Sequence, residues 1–270
     1  MRLFRFTLLA AICAAGPLAA CESAKTSVAE IYPTGTALPE NLLRFYIYFS
    51  RPMGQGDILP HIALLDDSGA ALPGVFLSNR YDLWSADRTR LTLLFDPGRV
   101  KTGLVANTAM GRALVAGEAY RLEISQTARD AQGCPLRADH SFAFTAVPAD
   151  ISTPSPEDWT LTPPNVGTST PLSVILDGPV DHLSLAYRLR IMGPDGAILP
   201  GRIGLAGAET RWTFTPTQPW QDGPHSLVVD PKLEDLAGNR MDAVFDLDLQ
   251  QDAPRATEAQ KRTIPFKPKS

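Results

Sequence analysis

The residues best able to do chemistry here are three cysteines and four histidines, and their spacing argues against catalysis. A nucleophilic Ser or Cys needs a positioned His and an acid. His61, His140, His182 and His225 are scattered, and no Ser lies in a Gly-x-Ser-x-Gly elbow. Cys134 precedes His140 by six residues, but the two belong to a turn and the strand after it. No catalytic residue is predicted, and the chain is not expected to be an enzyme. Zinc would want paired Cys or His at short spacing. No such pair occurs, so no metal and no cofactor are expected. Asp66, Asp67, Asp87, Asp130 and Asp235 offer the oxygen donors that calcium prefers, but without Asp-x-Asp-x-Asp-Gly spacing each fits a turn cap. Trp84, Trp159, Trp212 and Trp220 would suit stacking on sugars. Trp212 alternates with Thr213 and Phe214 as a core residue would, whereas Trp220, after Pro219, is expected at the surface. A calcium- or glycan-binding surface module is thus the alternative reading.

The other two cysteines lie near the N-terminus. Arg2 and Arg5 precede an apolar run from Phe6 to Ile12, then small residues, then Leu18-Ala19-Ala20-Cys21. A basic start, a short apolar core and a small-residue exit make residues 1–20 a secretory signal peptide. The apolar stretch is about 15 residues, short of the roughly 20 that a spanning helix needs. Leu-Ala-Ala-Cys resembles the lipobox of bacterial lipoproteins. That resemblance implies lipidation of Cys21, palmitate included, and a membrane anchor; ordinary cleavage after Ala20 is the alternative. Glu22 stands where an Asp is usually linked to inner-membrane retention, which implies the outer membrane, facing the periplasm or the cell surface. Cys13 leaves with the signal and lipid consumes Cys21, so Cys134 stands alone in an oxidising compartment and no structural disulfide is expected. An unlipidated Cys21 would leave a Cys21–Cys134 bridge open, with Cys21 in a flexible leader.

The elements that must position these residues come from the body of the chain. Of 270 residues, 44% are hydrophobic and 20% charged, a globular balance for one or two domains. Twenty-four prolines, nearly double the average share of about 5%, disfavour long helices. The net charge of −4 becomes −6 when Arg2 and Arg5 leave with the signal, which argues against a nucleic-acid partner.

The body is one unit written twice. Phe49-Ser50-Arg51-Pro52-Met53 is echoed by Leu176-Asp177-Gly178-Pro179-Val180, and Asp67 through Gly74 by Asp195 through Gly201. Thr89-Arg90-Leu91-Thr92-Leu93 returns as Thr210-Arg211-Trp212-Thr213-Phe214, and Asp130 through Leu136 as Asp235 through Met241. Four signatures in one order amount to a duplication. Between them the pattern has period two, as in Leu43, Phe45, Ile47 and Phe49, or Phe245, Leu247 and Leu249. Short strands, frequent turns and about 100 residues per copy predict an all-β chain of two tandem β-sandwiches.

Phe49-Ser50-Arg51-Pro52-Met53, the stretch from Gly117 to Ile124, and the pairs Asp130/Gly133 and Asp235/Gly238-Asn239 resemble the bacterial Ig-like domain of S-layer proteins (SbsA-like). The resemblance covers most of residues 30–250. Copy two departs from it where His225 replaces the aromatic and Leu176 through Val180 replaces the Phe-Ser-x-Pro-Met box. It implies two Ig-like domains after a lipoprotein signal, in a family of spacers, adhesion modules and scaffolds.

The expected layout is signal 1–20, lipidated tether 21–30, first domain 31–147, stiff linker 148–158, second domain 159–250 and disordered tail 251–270. Copy one carries an insertion at 96–117. Its Arg99, Lys101 and Arg112, with Leu104, Val105 and Met110 as apolar anchors, form a candidate partner-binding surface. The chain reads as a lipid-anchored envelope protein that binds an envelope protein or glycan, or acts as a spacer.

Overall fold

The computed structural model describes residue 21 and residues 25–78, 83–102, 104–245 and 262–270. The expected signal peptide and the whole segment from 246 to 261 lie outside the described residues. The alternating segments form strands, as period two requires when one face is buried. The first unit contains β1 (Val28–Tyr32), β2 (Ala37–Pro39), β3 (Arg44–Phe49), β4 (Ile62–Asp66), β5 (Leu83–Trp84), β6 (Arg90–Leu94), β7 (Ala119–Ile124) and β8 (His140–Val147). They make two sheets, ordered β1-β3-β6-β5 and β2-β8-β7-β4, with β2 parallel to β8. The second unit contains β9 (Thr160–Thr162), β10 (Leu172–Ile175), β11 (Leu189–Met192), β12 (Gly201–Ala206), β13 (Arg211–Pro216), β14 (His225–Val229) and β15 (Arg262–Phe266). Its sheets run β9-β10-β13-β12 and β11-β14-β15. Among the described residues there are three short α-helices: α1 (Pro97–Val100), α2 (Val105–Met110) and α3 (His182–Tyr187). The protein is all-β.

Each pair of sheets closes over its own core. Phe45, Ile47, Leu64, Leu91, Leu122 and Phe144 lie in the first, and Leu172, Val174, Ile191, Trp212, Leu227 and Val229 in the second.

The duplication is visible in backbone hydrogen bonds. Leu72 N donates to Leu64 O and Leu199 N to Ile191 O, each closing a turn through a glycine at positive φ, Gly69 and Gly196. Phe49 N donates to Thr89 O as Leu176 N does to Thr210 O. The two aspartate turns match atom for atom. Asp130 Oδ1 accepts from Gln132 N and Cys134 N, and Asp235 Oδ1 from Ala237 N and Asn239 N. A carboxylate at this place satisfies two donors that the turn leaves unpaired.

Three expectations need correction. From Thr26 on, the segment expected as a tether is packed onto the first sandwich: Thr26 is fully buried and β1 begins at Val28. Thr26 Oγ1 donates to Asp130 Oδ2 at 2.8 Å, a bond a free leader would not make. Cys134 is not alone, since it forms a disulfide with Cys21. Part of the expected disordered tail is a strand. Residues 262–266 pair with β14 from His225↔Phe266 to Val229↔Arg262, and Phe266 is buried in the second core. β14 needs a partner on that side, and β15 is apolar enough at Ile264 and Phe266 to serve. The alternation expected to form a closing strand at Phe245, Leu247 and Leu249 lies outside the described residues after Phe245.

Candidate functional site

β3 carries core residues Phe45, Ile47 and Phe49 on one face, and on the other Arg44, Tyr46 and Tyr48. Tyr46 is nonetheless buried, because this second face lies against the second sandwich. The facing residues come from the start of α3, from the turn before β13 and from the turn after β14. Asp181 caps α3 by accepting from Ser184 N, and its Oδ2 accepts from Tyr46 Oη at 2.8 Å. Arg44 Nε lies 3.7 Å from the same oxygen, and its Nη2 pairs with Glu234. His182 stacks on Tyr32 with ring centroids 3.7 Å apart, and its Nε2 lies 2.8 Å from Tyr48 Oη. Glu209 accepts from Thr34 N and Thr34 Oγ1 at 3.0 and 2.7 Å.

Backbone and linker close the junction. Leu43 N donates to Leu236 O at 3.0 Å, and the Leu236 side chain joins the first core. Asn41 and Asp150 exchange two bonds of 2.8 and 2.9 Å, while Asn239 Nδ2 donates 3.0 Å to the same Asp150 carbonyl. The linker is therefore fastened to both sandwiches at one residue.

Burial dominates the electrostatics. It pushes Asp181 up against the pull of Arg44, and pushes Glu209 up against the Thr34 bonds. Burial, with Arg90 adding to it, pulls His182 down to about 4, so its imidazole is neutral near pH 7. Asp235 is pushed up to about 7 by burial, which outweighs its bonds from Asn239. Among the described residues His182 Nδ1 has no hydrogen-bond partner though it is buried, and its other nitrogen is occupied by Tyr48. Asp181, Glu209 and the Nε2 side of His182 find partners across the interface in Tyr46, Thr34 and Tyr48, an arrangement suited to holding two bodies in register.

Elsewhere the predicted site residues separate. Arg99 donates to the carbonyls of Gly111, Pro73 and Arg112, so it braces its own loop. Arg112 pairs with Glu40 at 2.5 Å. Lys101 lies 4.0 Å above the Phe245 ring, a cation–π contact with the second unit. The insertion also supplies Val100, Ala113 and Leu114 to the first core. Of the apolar anchors, Leu104 is half-buried while Val105 (89%) and Met110 (54%) face solvent on α2. Cys21 is in the disulfide. Trp220, expected at the surface, is 2% exposed, packs near Phe214 and Phe266, and donates to Thr170 O. The loop carboxylates act locally: Asp66 accepts from Ser68 and Ala70, and Asp87 from Ser85 and Thr89.

None of the junction residues Tyr32, Arg44, Tyr46, Tyr48, Asp181, His182, Glu209 and Glu234 is a predicted site residue, and His182 enters the sequence analysis only as one of four scattered histidines. One signal pointed to them. The outward face of β3 reads Arg-x-Tyr-x-Tyr, too aromatic for a face left to water.

The chain matches no protein-family model and no curated protein. Similar solved structures include a native α2-macroglobulin from Escherichia coli spanning domains MG0-NIE-MG1, at 12% identity over 79% of this chain and 68% of that one, TM-score 0.30. The N-terminal part of the bacterial S-layer protein SbsC is 12% identical over 77% of this chain and 41% of that one, TM-score 0.33. The N-terminal four Ig domains of a Dscam1 isoform are 10% identical over 80% and 49%, TM-score 0.24. This chain spans less than half of the latter two. Among the described residues no helix is long and apolar enough to cross a membrane.

Proposed function

We propose that the chain is a structural module of the bacterial cell envelope, acting by binding or spacing and not by catalysis. The junction carries this reading. Two sandwiches joined by Arg44, Tyr46 and Tyr48 on one side and Asp181, His182 and Glu234 on the other make a stiff two-domain element. A spacer needs that stiffness, and a scaffold needs it to keep its loops in fixed relation. Export is supported by the N-terminal signal pattern, a basic start, a short apolar core and a small-residue exit. The partner is an envelope protein or glycan, met at exposed apolar side chains such as Val105 and Met110. Nucleic acid is disfavoured by the acidic balance.

The anchored form of this reading places a lipid on Cys21, at the outer membrane. Cys21 is five residues from buried Thr26, a reach of at most about 18 Å, so the anchor would hold the first sandwich close to the bilayer. That form requires the Cys21 sulfur to be free of Cys134, because a thioether sulfur cannot also sit in a disulfide.

Cell fractionation with in-cell crosslinking tests the reading. The mature chain is expected in the envelope fraction, joined to one dominant envelope protein or to glycan. Recovery in the cytoplasm with the leader still attached would overturn it.

A further inference from the structure

We infer that in the exported protein the Cys21–Cys134 disulfide, and not a lipid, claims the Cys21 sulfur. The inference rests on export, the premise of the envelope reading. The two Cα atoms lie 5.4 Å apart, inside the range that a disulfide spans, and Cys134 is buried.

Contacts independent of the sulfur deliver the chain to this point. Thr26 Oγ1 donates to Asp130 Oδ2, and Arg137 N donates to Thr26 O at 2.8 Å. Thr26, five residues after Cys21, is therefore laid against the same turn that holds Cys134.

The duplication supplies a second argument. Asn239 occupies in copy two the place of Cys134 in copy one, four residues after the turn aspartate. Its side chain donates to Asp150 O, in the segment that enters the second sandwich. In each copy this position fastens the incoming chain to the aspartate turn. Copy two uses a hydrogen bond, and copy one a covalent bond.

The bond forms by thiol–disulfide exchange with an exported dithiol oxidase. The thiolate of one cysteine attacks the oxidase disulfide, giving a mixed disulfide and releasing one oxidase thiolate. The thiolate of the second cysteine then displaces the other oxidase sulfur. The oxidase leaves as the dithiol with both electrons, and the two thiol protons go with it. Lipidation of Cys21 needs the same thiolate, so the two outcomes exclude each other on one molecule.

The test uses the full chain with its own leader, produced in a Gram-negative host. Its mature form is alkylated before and after reduction and mapped by mass spectrometry. The expected result is a Cys21 peptide joined to the Cys134 peptide, parted only by reductant, with both cysteines alkylated only afterwards. A diacylglyceryl thioether on Cys21, with Cys134 alkylated before reduction, would overturn the inference and leave the envelope reading intact. Two free thiols in the envelope fraction would do the same. An uncleaved chain in the cytoplasm would defeat both. In a Cys134→Ser variant, proteolysis around residues 22–28 is expected to accelerate at least tenfold, and an unchanged rate would rule out the clamp.

Discussion

Tyr46 and Asp181 lie 135 positions apart in the chain and meet in a 2.8 Å hydrogen bond between the two sandwiches. Asp181 also accepts from Ser184 N and faces Arg44, so one buried carboxylate serves three groups. Asp181→Ala strands a hydroxyl, an amide and part of a guanidinium, and is expected to cost on the order of 3 kcal/mol. Tyr46→Phe loses one bond and is expected to cost about 1 kcal/mol. Urea unfolding of both variants and the double variant would measure the coupling. Strict additivity would mean that the bond does not join the domains energetically.

The neutral His182 gives the junction a pH response. It titrates near 6.5 when unfolded and about 4 in the fold, pulled down first by burial and then by Arg90, with Glu30 opposing. The native state thus resists protonation there, and this stability is present above about pH 6.5 and lost as pH falls toward 4. Asp181, Glu209 and Asp235 are shifted up and act in the opposite sense, favouring the fold as pH falls. His182→Gln removes only the histidine contribution. The difference in Tm between variant and parent is therefore expected to move in the variant's favour from pH 6.5 to 4, by thermal melts across that range. A pH-independent difference would show that His182 is not the responsive group.

The insertion separates into a packed part and an exposed part. Val100 is buried in the first core, and Val100→Ala is expected to cost about 2 kcal/mol. Val105→Ser with Met110→Ser, both exposed on α2, is expected to change stability by no more than about 0.5 kcal/mol each. If α2 meets a partner, the same pair should abolish crosslinked capture while leaving the melting curve in place. Undiminished capture would remove α2 from the interaction surface.

β15 makes a direct contrast between a disordered tail and a structural strand. Phe266 is buried with its ring 5.9 Å from that of Trp220. Phe266→Ala is expected to cost about 3 kcal/mol and to shift the tryptophan emission of the native state. A tail hanging in solvent would leave both unchanged.

The paired signatures stated that two sandwiches would form, since turn glycines and period-two alternation are local and act within a few residues of themselves. Asp130 and Asp235 could be placed in turns because each carboxylate bonds amides two and four positions on. The tail was misread for the opposite reason. Arg262 to Phe266 is short and interrupted by Pro265, and only the open side of β14, some 35 residues earlier, makes it a strand. Trp220 sits in a sequence that reads as an exposed loop, yet aromatic neighbours from three strands enclose it.

The chain by itself determined the strand chemistry and the twofold repeat, both of which depend on neighbours in sequence. Tertiary structure decided the rest: that Tyr46 is buried, that His182 is neutral, that Cys21 reaches Cys134 and that Asn41, Asp150 and Asn239 share one knot of hydrogen bonds. Each depends on desolvation or on a partner more than 80 residues away, and neither is written in the spacing of the residues concerned.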